Sequence, residues 1–146
     1  MKIISHRGNI RGIVPGRENA PSYIDCALGN GYDVEIDIWS IDGQFFLGHD
    51  NPQYQVTWNW IFKRQDNLWL HCKNADAAKT CGIFQAFCHT SDPYSFTTRN
   101  KIWLHDLSQT VDKNTIIPLL TSQDLKHHST RIHDAYGVCT DYPAYL

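Results

Sequence analysis

Strand-like segments follow one another along this chain faster than helices can be fitted between them. Eight apolar, β-rich runs stand out in its 146 residues, at 2–5, 33–38, 67–73, 87–89, 94–97, 101–104, 115–120 and 136–140. In the first half they alternate with helical patterns. Ala20, Tyr23, Ile24, Ala27 and Leu28 recur at helical spacing, with Asn19 as the expected N-cap, Pro21 in the first turn and Gly29 or Gly31 as the stop. Thr57 is placed to cap a short helix containing Trp58, Ile61 and Phe62, and another helix is expected from about 75 to 84. Such alternation predicts a parallel sheet, and eight strands predict a closed barrel. In the second half, however, gaps of a few residues leave little room for helices. A (β/α)8 barrel typically needs roughly 250 residues. The expected fold is therefore α/β, a reduced TIM-type (β/α)8 barrel with several outer helices missing or shortened, in a single domain over 1–146. An open α/β sheet is the competing architecture, and Pro118 argues against an internal strand at 115–120.

One of these runs carries charge where a buried strand should not. In "GYDVEIDIWSIDGQFFLGHD" (31–50), Glu35 and Asp37 alternate with Val34, Ile36 and Ile38. Residues i and i+2 of a strand share a face, roughly 6.5–7 Å apart. Two neighbouring anions on that face need a compensating cation. A hard divalent ion meets that need, and so does pairing with Arg or Lys.

Histidines also collect at the ends of the expected strands. His6 follows the first, His49 lies in the loop after the second, His71 and Lys73 share a face at the end of the third, and His89 ends the fourth. In a parallel barrel these ends open on one rim, where such folds keep their active sites. His105, His127, His128 and His133 have no comparable placement, and Asp141 reads as structural. Four tryptophans, Trp58, Trp60, Trp69 and Trp103, read as packing residues.

Composition narrows the remaining classes. A net charge of −2 advertises neither nucleic acid nor an anionic membrane as partner. The start "MKIISHRGNI" has no apolar h-region, and no stretch approaches the length of a membrane span. Five cysteines with no C-x-x-C pair argue for reduced, mostly buried thiols and a cytoplasmic setting.

In order and at compatible spacings, "SHRGN", "EN" at 18–19, "VEIDIW", "DGQFFLGHD" and the terminal "YGVCTDYP" resemble the glycerophosphodiester phosphodiesterase family. The similarity is strong over 2–50, partial around "LWLHCKN", and returns at 136–143. The resemblance implies a barrel of the phospholipase C-like phosphodiesterase type. It implies that His6 and His49 act as general base and acid, that Glu35 and Asp37 bind a metal, and that Arg7 and Lys73 contact phosphate. Glu18 matches a supporting acid behind the site. The implied activity is metal-dependent hydrolysis of a glycerophosphodiester-like or related small phosphodiester. The alternatives are a non-catalytic phosphate- or metal-binding module, and a lyase that stops at a cyclic phosphate.

The pattern departs from the family on the third strand, where a carboxylate two residues before the lysine is replaced by His71. Mg²⁺ or Ca²⁺ is the expected cofactor. Mn²⁺ or Zn²⁺ becomes the better match if His71 is a ligand. Otherwise His71, like His89, is expected to contact phosphate. The partner expected is a small phosphodiester, with no nucleic acid and no membrane, and bare outer strand faces point to a homodimer.

Overall fold

Within each strand, the alternation of residue types decides which side faces inward. The computed structural model describes residues 1–146. Its elements are β1 (Lys2–His6), α1 (Pro21–Gly29), β2 (Asp33–Ile41), β3 (Gln44–Leu47), β4 (Tyr54–Val56), α2 (Trp58–Phe62) and β5 (Leu68–Cys72). There follow α3 (Ala75–Cys81), β6 (Ala86–Phe87), β7 (Tyr94–Phe96), β8 (Ile102–Leu104), β9 (Thr115–Pro118), α4 (Ser122–His127) and β10 (Gly137–Thr140). Short 3₁₀ turns occupy Arg131–His133 and Pro143–Tyr145.

All the strands join one sheet. The run β6-β5-β2-β1-β10-β9-β8 is parallel throughout, and β7 pairs antiparallel with β8. The far end of β2 carries the antiparallel β3 and β4. No ladder joins β6 to β7. Instead the ends meet through the second residue after β7: Thr98 N–H donates to Ala86 O at 2.9 Å, and Ala86 N–H donates to Thr98 Oγ1 at 3.0 Å. Ser95 Oγ donates to Cys88 O at 2.7 Å nearby. The molecule is thus a mixed α/β protein with a curled sheet and few helices.

The curl follows from what the two faces hold. Inside, Ile4, Trp69, Phe87, Trp103, Ile116 and Cys139, one each from six strands, pack together. On the outer face, Val34, Ile36, Ile38, Leu68 and Leu70 pack against Ile24 and Ala27 of α1, Ile61 of α2 and Ala77 of α3. A third cluster joins Ile117, Leu119 and Val138 to Ile132, with Leu125 of α4 against it. One end of the interior is closed by Asp33, which accepts from Lys2 Nζ at 3.1 Å, Asn67 Nδ2 at 2.9 Å and Trp69 Nε1 at 3.1 Å. No helix is long and apolar enough to cross a membrane.

Several expectations need correction. Asn19 does not cap α1; the N-cap is Ala20, and the Asn19 carboxamide is taken by Asp37. Helix α3 stops at Cys81 rather than 84. The second strand runs on to Ile41, where Asp42-Gly43 turns it into β3. Helix α4 was not anticipated, although Thr121 and Asp124 form a capping box at its start. Strand β9 is internal despite Pro118. Proline there is the last residue, and Leu119 N–H restores the ladder to Cys139 O at 2.8 Å.

Candidate active site

Moving two residues along a parallel strand keeps the same face and climbs toward the C-terminal rim. From the inner apolar layer that step leads from Ile4 to His6, Trp69 to His71, Phe87 to His89, Trp103 to His105 and Cys139 to Asp141. On β2 it leads from Glu35 to Asp37. The result is a hollow of about 240 Å³ walled by His6, Arg7, Glu35, His71, His89 and His105 over a floor that includes Phe87 and Trp103.

The two acids of β2 are not equivalent. Asp37, fully buried, has Arg7 Nε at 2.9 Å, Lys73 Nζ at 3.5 Å and the Asn19 Nδ2 donor at 2.9 Å. Burial pushes its carboxyl up, but His71, Arg7 and Asn19 outweigh burial and hold it well below the usual range. Glu35, 2% exposed, has only imidazoles near it, His71 Nδ1 at 3.7 Å and His6 Nε2 at 3.8 Å. Its carboxyl is raised by burial and by the Asp37 charge.

Arg7 reaches Asp37 because the chain turns sharply after β1. Its φ is +54°, a left-handed conformation with a cost of roughly 1–3 kcal/mol for a residue with a side chain. Arg7 N–H donating to Glu35 O at 2.9 Å and Asn19 N–H donating to Arg7 O at 3.0 Å hold the turn. Gly8 (φ +89°) must follow, since a Cβ there would stand 2.9 Å from the Tyr23 ring and 3.2 Å from Ile24 N.

His6 is oriented by Asp141, whose place at the end of the last strand reads as structural in the sequence. Its Nδ1 lies 2.8 Å from Asp141 Oδ1, which also accepts from Asn9 Nδ2 at 2.7 Å. An ionised carboxylate only accepts, so Nδ1 carries the proton and Nε2 faces Glu35. Burial lowers the His6 pKa, yet the Asp141 bond and the Glu35 charge together leave it raised. Asn9 also donates to Glu18 Oε1 at 3.0 Å, and Glu18 lies 3.8 Å from Arg7.

His49 stands apart from this wall. It lines a neighbouring hollow of about 200 Å³ with Glu18, Asn19 and Asp50, and Arg7 borders both spaces. Its Nδ1 lies 2.7 Å from Asp50 Oδ1. Gly48 (φ +149°) fixes the approach of this loop, because a Cβ there would fall 2.1 Å from Asn51 O.

Across the first hollow, His89 and His105 stack with ring centroids 3.3 Å apart. Burial and neighbouring histidines lower the His105 pKa to about 4, and burial with the His71 charge also lowers that of His89. At neutral pH this wall offers neutral imidazoles. His105, to which the sequence pattern assigns no role, lines the first hollow, whereas His127, His128 and His133 line neither.

The side chains present fit a divalent cation. Glu35, Asp37 and His71 each offer a ligand atom, and these atoms lie within 4.8 Å of one another. Glu35 Oε2 and Asp37 Oδ1 are buried with no hydrogen-bond partner. His71 Nδ1 approaches Asp37 Oδ1 to 3.1 Å, yet the pair does not form an aligned hydrogen bond. Orphaned buried acceptors of this kind call for a cation. The second acidic group, His6, Glu18 and Asp141, is already cross-linked by Asn9.

These pKa directions carry opposite linkage signs. The lowered Asp37 stabilises the fold above the value of an unfolded aspartate, roughly 4, and loses that contribution as pH falls below it. The raised Glu35 does the reverse: stability declines as pH rises from its unfolded value through its folded one. Glu35→Gln is therefore expected to stabilise the metal-free protein at neutral pH. If the cluster holds a divalent ion, the same change should remove the stabilisation that ion gives, about 2.7 kcal/mol at a hundredfold excess over Kd. Denaturant melts in chelator and in metal measure both; equal metal shifts in parent and variant would discount Glu35 as a ligand.

No family model matches this chain, and no curated protein or solved structure matches it.

Proposed function

We propose that the protein is a metal-dependent phosphodiesterase acting on a small phosphodiester of the glycerophosphodiester kind. The observation that carries this reading is Arg7, which borders two hollows with His6 on one side and His49 on the other, beside the Glu35–Asp37–His71 cluster. A phosphate on Arg7 would then lie between two imidazoles. We also infer that the curled sheet is a reduced (β/α)8 barrel, which is supported by the strand order and by functional side chains at the C-terminal strand ends.

In this mechanism Arg7 and Lys73 offset the phosphate charge as it grows in the transition state. His6, with Nδ1–H held by Asp141, takes the proton of the attacking hydroxyl at Nε2. His49 gives a proton to the leaving alkoxide, its ring held by Asp50. Glu35, Asp37 and His71 would hold a divalent ion, which would supply Lewis-acid polarisation at the phosphate. His89 and His105, being neutral, offer hydrogen bonds to the alcohol portion instead of charge.

A binding module without turnover is the second reading, favoured by the degree to which Arg7, Lys73 and His71 already neutralise Asp37. Phosphorus NMR of a panel of small glycerophosphodiesters, with and without Mg²⁺ or Mn²⁺, separates the two. Metal-dependent formation of a phosphomonoester or cyclic phosphate is the expected result. Phosphate or metal binding with no product across the panel would establish the module.

A further inference from the structure

Three of the five cysteines converge on the outer side of the sheet, away from the hollow just described. Strands β5 and β6 pair Leu70 with Ala86 and His71 with Phe87. Continuing that register by one residue sets Cys72 beside Cys88. Ala86 belongs to the outer cluster and Phe87 to the inner one, so Cys72 and Cys88 project to the same outer face. Both line one cavity of about 530 Å³, open to solvent between α3 and β7. Cys88 is exposed, Cys72 is buried, and both are free thiols. Cys81 of α3 shares the outer cluster and meets the Cys72 thiol from the helix side.

Neighbouring parallel strands run about 4.8 Å apart. Disulfides span Cα separations of roughly 4.4–6.8 Å. A cross-strand pair at matched register on one face therefore meets the distance requirement without moving either strand. The cavity gives a small oxidant access to the exposed thiol, while the buried one waits behind it.

We propose that Cys88 and Cys72 form a peroxide-oxidisable dithiol, with Cys88 as the attacking thiol and Cys72 as the resolving one. The Cys88 thiolate attacks one oxygen of a peroxide; the O–O bond breaks, leaving a sulfenic acid and a hydroxide that takes up a proton. The Cys72 sulfur then attacks the sulfenyl sulfur, the S–S bond forms, and water departs with the Cys72 proton. With hydrogen peroxide the two thiols lose two electrons and two protons, and two waters result. The bridge would tie the end of β5, immediately between His71 and Lys73, to β6. This inference does not depend on the phosphodiesterase reading.

The test is peptide mapping by mass spectrometry after hydrogen peroxide treatment of the intact chain, with free thiols blocked before digestion. The expected product is a Cys72–Cys88 linked peptide pair lacking two hydrogen atoms, returned to two thiols by dithiothreitol. Prior alkylation of the exposed thiol, or Cys88→Ser, should reduce the pair to background, and Cys81→Ser should leave it. A Cys72–Cys81 link, Cys88 oxidised to the sulfinic acid without a link, or unreacted thiols would each overturn the proposal. The mapping of the parent chain decides the matter even if a variant fails to fold.

Discussion

Replacing His6 by alanine is expected to lower phosphodiester turnover by about 100- to 10,000-fold, the usual worth of a positioned general base. The fold should survive, because His6 sits at the rim and not in the packed layer formed by Ile4 and its neighbours. Asp141→Asn gives the sharper reading. The Asp141 bond and charge are among the causes that raise the His6 pKa. Their loss should move the His6 limb of the pH–rate profile to lower pH, along with a fall in kcat. Full activity in His6→Ala would end the catalytic assignment. An unshifted limb in an active Asp141→Asn enzyme would reduce Asp141 to a structural group.

The largest effect on stability is expected at Trp69. This side chain is fully buried, tilts against Trp103 at 6.0 Å and Tyr136 at 6.4 Å, and donates from Nε1 to Asp33. Trp69→Ala empties the centre of the interior and takes one donor from a buried carboxylate. A loss of about 3–5 kcal/mol is expected. That is a large part of the roughly 5–15 kcal/mol available to a typical domain. Urea unfolding of parent and variant measures it, and a loss below about 1 kcal/mol would mean that the interior closes around the gap.

Strand positions were legible because hydrophobic runs of period two survive whatever surrounds them. All eight expected strands recur with boundaries moved by a few residues. Direction was harder to read. Strand β7 runs antiparallel to β8 because only a few residues connect them, too few for a parallel crossover. The turn from β2 into β3 is signalled by "IDGQ", which the sequence pattern presents only as part of a functional motif, and β4 has no such signal. At the site, Glu35, Asp37, His71 and Lys73 share a wall as the i, i+2 rule requires. The same rule, applied to "KIWLH" and "GVCTD", points His105 and Asp141 inward from Trp103 and Cys139. What it could not give was pairing across the chain. Nothing local says that Asn9 bridges Glu18 and Asp141, or that Asn19 leaves a helix end for Asp37. Those contacts depend on backbone turns at Arg7 and Asn19, both with positive φ, which hydropathy does not register.

The pairing of β1 with β10 sets an order in time as well as in space. Lys2 faces Gly137, and His6 finds Asp141 at a sequence separation of 135. During synthesis, β1 can pair with β2 early, yet its other edge stays bare until the final strand emerges. The His6 ring acquires its orienting carboxylate at that same last step. Loop-closure entropy makes such distant partners late arrivals in refolding too. A growing chain therefore holds Glu35 and Asp37 in place before it holds an oriented His6 ring, so the pairing of β10 and the assembly of the candidate site are one event.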